Sequence, residues 1–381
     1  MRVNKKLICL FLYFIGTVGA SYNTNVFGSG GDEYCGDKSM PRVPDVKWFQ
    51  GGWGIRFVLP AGNDPEVIDR FMGPGLIDQL AEIKTARWVM LNLTGPTWGG
   101  IFTSPSSRVE KILGKNAVPH ADLLYFYINS LRAIGYKIIL YVASQGPSLQ
   151  FLRQKREEKL SQLLPKLSRR LIDIDRKWGE YIEGSGLDES KEFANIIRDY
   201  SLKFGTKVDA WWFDHGVHAK ANILVPAAKA GNKDVLIAWN ARKRIIIDHA
   251  KHQIWPLERT TPYSEYTDGH ISLTLKNGRG KPPWWSGNLY LLEQIESCSR
   301  ISGALPHLFL PLQETWRAGS MRFPDDMAIE WTQSVINSNA AVTWAVALRQ
   351  PEFNYAEIDP SVFSILRKID ENLMGVASRD F

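Results

Sequence analysis

The stretch "FANIIRDYSLKFGTKVDAWWFDHG" (193–216) combines the two patterns that decide the fold. Its first part has apolar residues at helical spacing and leads to Gly205, which is typical of a helix stop. "DAWWF" (209–213) is then a continuous apolar run, as expected for a strand buried on both faces. The run ends in Asp214, a carboxylate at a point where apolar strands usually end in a neutral residue. A helix that leads into a buried strand is the repeating unit of proteins with parallel sheets.

Similar apolar runs recur along the whole chain at long intervals, with helical patterns between most of them. In chain order they are "GIRFVL" (54–59), "WVMLNLT" (88–94), "KIILYVA" (137–143), "DAWWF" (209–213), "VLIAW" (235–239), the weaker "PYSEYT" (262–267), "HLFLPLQ" (307–313) and "AVTWAVA" (341–347). Eight strands that alternate with helices predict an α/β protein with a (β/α)8 TIM-like barrel. A doubly wound open sheet is the alternative, but no glycine-rich phosphate turn follows the first run.

The chain of 381 residues is long enough for one large barrel or two ordinary domains. No second domain is indicated, so we interpret residues 46–381 as a single barrel and 21–45 as an irregular N-terminal segment. Residues 1–20 have the basic start and apolar core of a signal peptide, with cleavage expected near Ala20. We therefore predict a secreted or periplasmic protein without a membrane span in the mature chain.

Charge and cysteine content exclude several other classes of protein. The formal charge of +6 at pH 7 falls to +3 when the three basic residues of the signal segment are removed. With no nucleic-acid-binding motif, we expect no nucleic-acid partner. No metal site and no cofactor are predicted, since no spacing of His, Cys and carboxylates suits a metal.

Cys35 and Cys298 either pair or stay free. The basic stretch 153–170 is interpreted as a solvated helical insertion. The oligomeric state is not indicated.

Residues that follow the predicted strands are the candidates for the functional site, because active sites of this fold lie at the carboxyl ends of the strands. They are Pro60, Thr94 to Trp98, Ser144, Gln145, Asp214, His215, Asn240, Arg242, Glu265, Asp268, Gln313, Glu314, Trp316 and Arg349. Carboxylates, amides, arginines and tryptophans are the groups that a polysaccharide cleft requires. Asp214 is thus either a catalytic carboxylate or the N-cap of the following helix.

Two carboxyl groups about 5–5.5 Å apart, one a nucleophile and one an acid/base, carry out retaining glycoside hydrolysis. We predict Asp214 as the nucleophile and Glu265, after the sixth run, as the acid/base. Glu314, after the seventh run, is the second candidate for the acid/base. An alternative assigns Asp214 as the acid and Glu314 as the nucleophile.

Aromatic, amide and basic side chains near these carboxylates are predicted to bind the carbohydrate substrate. They are Trp98, Trp212, His215, Asn240, Arg242 and Trp316. The three tryptophans are candidates for stacking on sugar faces, although Trp212 is equally suited to the core. Asn240 and Arg242 are expected to hold hydroxyl or sulfate groups, since arginine binds anions bidentately.

Several segments, in order along residues 45–375, together resemble one known family. They are "VKWFQGGWGIRFVLPAG" (46–62), "ARWVMLNLTGPTWGGIFTSPS" (86–106), "LRAIGYKIILYVAS" (131–144), the opening stretch, "VLIAWNAR" (235–242), "TPYSEY" (261–266), "TWRAG" (315–319), "TQSVINSNAAVTWAVAL" (332–348) and "DPSVFSILRKIDENL" (359–373). The family that they resemble is the α-L-fucosidases, which are glycoside hydrolases. The resemblance implies a (β/α)8 barrel, with Asp214 in the place of the family's nucleophile and Glu265 near its acid/base.

The ends of the first two strands depart from that family's pattern. The sequence has "VLPAG" and "TGPTWGG" where the family has histidines that hold the fucose hydroxyls. We therefore predict an exported, retaining glycoside hydrolase of the α-L-fucosidase type that acts on a plant or algal poly- or oligosaccharide. The alternative is a non-catalytic carbohydrate-binding protein on a decayed glycosidase barrel.

Overall fold

The computed structural model describes residues 43–95, 98–148, 165–215, 221–240, 257, 259, 261–270, 303–322, 324–349 and 356–377. The predicted signal peptide, nearly all of the irregular N-terminal segment, and both remaining cysteines lie outside these residues. No helix within the described ranges is long and apolar enough to cross a membrane.

Strands and helices alternate through most of the described residues. The strands are β1 (Trp53–Arg56), β2 (Trp88–Asn92), β3 (Thr94–Gly95), β4 (Trp98–Phe102), β5 (Lys137–Ala143), β6 (Ala210–Asp214), β7 (Leu236–Trp239), β8 (His307–Pro311) and β9 (Ala341–Ala345). The helices are α1 (Pro65–Phe71), α2 (Gly75–Glu82), α3 (Ser107–Leu113), α4 (Leu123–Ala133), α5 (Pro165–Ser185), α6 (Glu189–Phe204), α7 (Ala221–Ala228), α8 (Asp325–Asn337) and α9 (Pro360–Ala377). Short 3-10 turns span Lys115–Ala117 and Gly205–Lys207.

Seven of the strands form one curled parallel sheet in the order β7-β6-β5-β2-β1-β9-β8. The remaining two, β3 and β4, form a small antiparallel hairpin beside it. The predicted α/β class with a parallel sheet is confirmed. The predicted closed barrel of eight strands is corrected, because the sheet is open between β7 and β8.

The segment 261–270 lies in this gap, where the sequence predicts the sixth strand. Its backbone bonds to both edges: Glu265 N donates to Ile237 O of β7 at 2.7 Å, and Phe309 N of β8 donates to Gly269 O at 2.8 Å. Only isolated bridges form, because Gly269 has a left-handed φ of +64° that turns the backbone out of a ladder. A Cβ at Gly269 would lie 2.2 Å from the carbonyl oxygen of His307, so no other residue fits this turn.

The predicted helices that flank the strands are confirmed. The helix of the opening stretch is α6, which begins after Asp188, whose side chain accepts a hydrogen bond from Lys191 N. It ends at Gly205, which has a φ of 55°, as predicted for a helix stop. The described end of the basic stretch, residues 165–170, is the first part of α5, which agrees with a helical insertion.

Alternation of side chains along β6 divides the protein into two cores. Trp211 and Phe213 pack with the helices in the larger core, whereas Ala210 and Trp212 face the smaller core inside the curl of the sheet. Successive side chains of a strand point to opposite faces, so Asp214 faces the inside of the curl like Trp212. The apolar run therefore ends in a carboxylate because its last residue opens into the interior.

The smaller core contains a buried histidine, His307, at the start of β8. His307 is fully buried, with Nε2 2.8 Å from Thr343 Oγ1 and Nδ1 3.2 Å from Thr267 O. Burial lowers the pKa of His307 from its usual 6.5 to about 3, although the bond to Thr267 opposes the shift. The imidazole is therefore neutral in the folded protein at ordinary pH.

This histidine is expected to make the fold sensitive to mild acid. The unfolded chain binds a proton below about pH 6.5 and the folded chain does so only near pH 3, so stability is lost as pH falls between these values. Urea unfolding at pH 7 and pH 4.5 should show a loss of about 3 kcal/mol from this group. His307→Gln should reduce that loss, whereas His120→Gln, at an exposed histidine, should leave it unchanged. Equal loss in all three proteins would contradict the assignment.

Candidate active site

Asp214 is the last residue of β6 and lies at the carboxyl end of the sheet. It is level with Ala143 of β5, and its side chain is buried with 6% of the residue exposed. Asn240 directly follows β7, the neighbouring strand. Parallel pairing thus brings side chains from three strands together at one edge of the sheet, as expected for this class of fold.

Three hydrogen-bond donors and the imidazole of His215 surround the Asp214 carboxylate. Asn240 Nδ2 and the backbone N of His215 each donate to Oδ1 at 2.8 Å. The Tyr141 hydroxyl donates a short hydrogen bond to Oδ2, and His215 Nε2 lies 3.2 Å from the same oxygen. The N–H groups that an N-cap at Asp214 would bind, two and three residues further on, lie outside the described residues, so the N-cap alternative stays a prediction.

Burial and these donors act on the pKa of Asp214 in opposite directions. Burial raises the pKa, while the nearby charges of His215 and His270 and the bonds from Tyr141 and His215 lower it. The net shift is downward from 3.8, so the carboxylate is ionised at neutral pH. Because the folded pKa is depressed, this group stabilises the fold above about pH 4 and loses that contribution at lower pH.

His215 has a backbone conformation that is uncommon for a residue other than glycine. Its φ is 59°, in the left-handed region. This conformation turns the backbone N and the imidazole of His215 back toward the two oxygens of Asp214. Local strain of this kind is typical of functional sites.

His270 and Trp316 form a stacked pair near the same opening at the carboxyl end of the curled sheet, which we call the mouth. Their rings are 4.8 Å apart and nearly parallel, at 12°. His270 lies opposite Phe309 of β8, and its backbone N donates to Asp268 Oδ1 at 2.9 Å. His270 also packs against Trp212, with ring centres 5.8 Å apart, and Trp212 stacks on Tyr141, which donates to Asp214. His270 is not among the residues that the sequence predicts for the site.

The guanidinium of Arg56 faces the Tyr141 ring from β1, and Arg317 follows Trp316 in the loop after β8. Arg56, the last residue of β1, is buried, and its guanidinium lies 5.6 Å from the centre of the Tyr141 ring. Burial lowers the pKa of Arg56 to about 10, while the charges of Tyr141 and Asp214 raise it and that of Arg317 lowers it. Burial likewise lowers the pKa of Arg317 to about 10. The inside of the curl therefore holds the buried guanidinium of Arg56 beside Tyr141, which donates to Asp214.

Glu265, the predicted acid/base, is not brought to Asp214. Its Oε1 accepts from Lys229 Nζ at 2.8 Å and its Oε2 accepts from Ile237 N at 3.0 Å. Ile237 is level with Trp211, three residues before Asp214, which is about 10 Å along the strand. The carboxylate therefore caps the start of β7 at the opposite end of the sheet.

Glu265→Ala is expected to weaken the fold and to leave catalysis intact. Removal of the carboxylate deprives the Ile237 N–H of its acceptor, which should lower the free energy of unfolding by about 1–3 kcal/mol. Urea unfolding and kcat/KM, measured on the same preparation, check this expectation. A loss of activity of ~100-fold or more with normal stability would return Glu265 to the acid/base role.

Glu314 and Trp212 also take positions that differ from their predicted roles. Glu314 is exposed, and its Oε1 accepts from Ser320 Oγ at 2.8 Å within the loop after β8. Trp212 is fully buried, stacks on Tyr141 at 5.3 Å and donates from Nε1 to Asp268 O at 2.9 Å. Its indole therefore packs beneath the Tyr141 ring in the core, and neither face is accessible to a sugar.

The remaining predicted residues divide between the site and the undescribed residues. His215, Asn240 and Trp316 lie in the mouth, as described above. The backbone of Trp98 belongs to β4, but its side chain and the whole of Arg242 lie outside the described residues. Within the described ranges, no three His, Cys or acidic residues are grouped in a way that could hold a metal ion.

Solved structures of three endo-fucoidan hydrolases from glycoside hydrolase family 107 share this fold. P5AFcnA aligns with a TM-score of 0.68 and 23% identity over 85% of this chain and 91% of that chain. MfFcnA4 aligns with a TM-score of 0.66 and 18% identity over 86% of this chain and 53% of that one. MfFcnA9 aligns with a TM-score of 0.66 and 18% identity over 87% of this chain and 65% of that chain. A search of curated proteins finds no match.

A family model matches nearly the whole described chain. Residues 43–381 match the model described as "Endo-alpha(1,4)-fucoidanase Mef1". The chain is therefore a glycoside hydrolase of a fucoside-acting class. It belongs to the endo-alpha(1,4)-fucoidanase Mef1 family. The predicted resemblance to α-L-fucosidases is confirmed for the broader class of fucoside-acting enzymes and corrected for the family itself.

Proposed function

We propose that this protein cleaves a fucan chain internally by a retaining mechanism, with Asp214 as nucleophile and His270 as acid/base. The observation that carries the proposal is the buried, ionised Asp214 carboxylate, which accepts three hydrogen bonds and has the His215 imidazole 3.2 Å away, in a mouth that His270 shares. We assign the acid/base role to His270 and not to Glu265, because the Glu265 carboxylate is bonded to Lys229 and to the backbone of Ile237.

In the first step, an oxygen of Asp214 attacks the anomeric carbon of the fucosyl unit. The bond between this carbon and the glycosidic oxygen breaks, and protonated His270 gives its proton to the departing oxygen. The product is a covalent fucosyl ester on Asp214 and neutral His270. Stacking on Trp316 fixes the plane of the imidazole for this transfer.

In the second step, neutral His270 takes a proton from a water molecule as the water attacks the same carbon. The ester bond breaks, Asp214 leaves as a carboxylate, and His270 is protonated again. Two inversions at one carbon give net retention of configuration. Tyr141 and Asn240 hold the carboxylate before attack and stabilise its charge when it departs.

The length and configuration of the products test this function. Incubation with fucoidan should give a ladder of oligosaccharides and a rapid fall in mean chain length, measured by size-exclusion chromatography. NMR spectra taken during the first turnovers should show new reducing ends in the α configuration. Release of fucose alone would favour an exo-acting α-L-fucosidase, and binding without cleavage would favour the non-catalytic alternative.

We also propose that residues 1–20 direct export and are removed near Ala20. A polymeric substrate outside the cell is the reason for an exported enzyme. N-terminal sequencing of protein from the culture medium or periplasm should give a chain that starts near Ser21. An intact Met1 on active protein inside the cell would contradict export.

A further inference from the structure

We propose that Trp212 is a positioning residue that fixes the acid/base and the nucleophile relative to each other, because one indole contacts the support of both. This inference rests on the proposed function, since it concerns the same two catalytic groups, Asp214 and His270. The side chain of Trp212 is fully buried, so it touches neither the substrate nor the reacting atoms. Its role is to hold the groups that do.

Trp212 reaches the nucleophile through Tyr141. The two residues are level on β6 and β5, and their rings stack with centres 5.3 Å apart and planes at 20°. The Tyr141 hydroxyl donates to Asp214 Oδ2. Asp214 follows Trp212 by two residues on the same inner face of the sheet. The indole thus fixes the plane of the phenol that bonds to the carboxylate.

Trp212 reaches the acid/base by two separate contacts. Its ring packs against the His270 imidazole with centres 5.8 Å apart, and its Nε1 donates to Asp268 O at 2.9 Å. Asp268 Oδ1 accepts from the backbone N of His270, also at 2.9 Å. The indole therefore holds both the ring of His270 and the turn that carries it.

The segment 261–270 depends on side-chain contacts of this kind. A regular strand fixes its side chains through a ladder of backbone bonds, whereas the pairing described for this segment consists of isolated bridges. The bond from β6 to Asp268 O and the bond from Phe309 N to Gly269 O hold the backbone just before His270. Misplacement of a catalytic group by about 1 Å costs up to ~100-fold in rate, so this anchoring bears directly on turnover.

Simple core packing is the alternative role for this indole, and it predicts a different result. A residue that only fills the core acts through folding and therefore affects all substrates alike. A residue that holds the acid/base affects most the substrates whose leaving group needs a proton. The dependence of the rate on the leaving group therefore separates the two roles.

The test replaces Trp212 by benzothienylalanine, a tryptophan analogue with sulfur in place of the indole N–H, introduced at a reassigned stop codon. The ring keeps its size, and the bond to Asp268 O is lost. We expect kcat/KM on fucoidan to fall by ~10–100-fold, while kcat/KM on an aryl oligofucoside with a good leaving group stays within about 3-fold. Equal loss on both substrates, or no loss on either, overturns the positioning role.

The matched control is the same analogue at Trp88, another fully buried tryptophan of the smaller core. Its Nε1 donates to Thr343 Oγ1 at 2.9 Å, and it begins β2 at the amino end of the sheet. Loss of this bond should lower the stability to urea by a similar amount and leave both kcat/KM values unchanged. An equal loss of fucoidan activity at Trp88 would assign the effect to stability and overturn the positioning role.

Combination with His270→Ala shows whether Trp212 acts through the imidazole. In that background the analogue at Trp212 should cause no further loss of kcat/KM on fucoidan, because the group that it misplaces is already absent. A further loss of ~10-fold or more would show that the N–H acts elsewhere and would overturn the inference.

Crystal structures of the two analogue proteins give a readout that needs no turnover. The His270 imidazole should move by about 0.5–1 Å in the protein with the analogue at Trp212 and stay in place in the one with the analogue at Trp88. An unmoved imidazole in the first protein overturns the inference, even if fucan is cleaved. If the wild type cleaves no fucan, the proposed function fails, and the position of the imidazole alone then decides whether Trp212 holds His270.

Discussion

Asp214→Asn is expected to keep its fold and to lose turnover by on the order of 10⁴-fold or more, since a whole covalent step disappears. The amide has the same shape as the carboxylate, and its oxygen still accepts from Asn240 and from the backbone of His215. The remaining NH₂ group faces the Tyr141 hydroxyl, which is able to accept a hydrogen bond. The substitution therefore removes the nucleophile with little change in packing.

The matched control for this experiment is Asp209→Asn, at the residue that precedes the same strand. Asp209 pairs with Arg132 at 2.8 Å and with Lys137 at 3.0 Å, so its loss should lower stability and leave kcat intact. Initial rates on fucoidan and thermal unfolding, both measured for the two variants, separate chemistry from folding. Near-normal activity of a folded Asp214→Asn protein would falsify the nucleophile assignment.

Continuous apolar runs and glycine helix stops were sufficient to predict the parallel sheet and its helices. The prediction held where runs were long and rich in β-branched or aromatic residues, as in β5 and β6. It failed for the sixth run, whose position in the sheet depends on contacts with Ile237 and Leu305, far away in sequence. A turn at Gly269 prevents a regular strand there, and apolar pattern alone does not reveal this turn.

The irregular backbone of segment 261–270 also explains why Glu265, the predicted acid/base, does not lie beside Asp214. Tyr266 is level with Leu305 and His270 with Phe309, so the segment reaches the carboxyl end of the sheet at His270. Glu265 lies five residues earlier and therefore at the opposite end. The residue after an apolar run lies at the carboxyl end of the sheet only when the run is a regular strand. For an irregular segment, the sequence does not reveal the register.

Two further site residues carry signals that a different search would detect. Arg56 is a charge within the apolar run "GIRFVL", and a buried charge in a strand core indicates a function. Tyr141 lies two residues before the end of β5, so alternation places it on the same face as the strand end. The side chains that face inward near a strand end are thus as informative as those that follow it.

His270→Ala is expected to lower kcat/KM on fucoidan by about 10²–10⁴-fold, the usual scale of general acid–base catalysis. A glycoside with a good aryl leaving group departs without a proton, so the first step on an aryl oligofucoside should be much less affected. No base then remains to activate water, and the covalent ester on Asp214 should accumulate. Mass spectrometry of the quenched enzyme is the direct measurement of this intermediate.

Azide provides the decisive rescue, because it attacks the ester without needing a base, in the space that the imidazole leaves. Addition of azide to His270→Ala should restore aryl glycoside turnover and give a fucosyl azide of retained α configuration, since the ester has the inverted one. Glu265→Ala serves as the control and should show neither the intermediate nor the rescue, because its carboxylate holds Lys229 and β7. Rescue in Glu265→Ala, together with an unaffected His270→Ala enzyme, would transfer the acid/base role to Glu265 and require the segment 261–270 to rearrange when substrate binds.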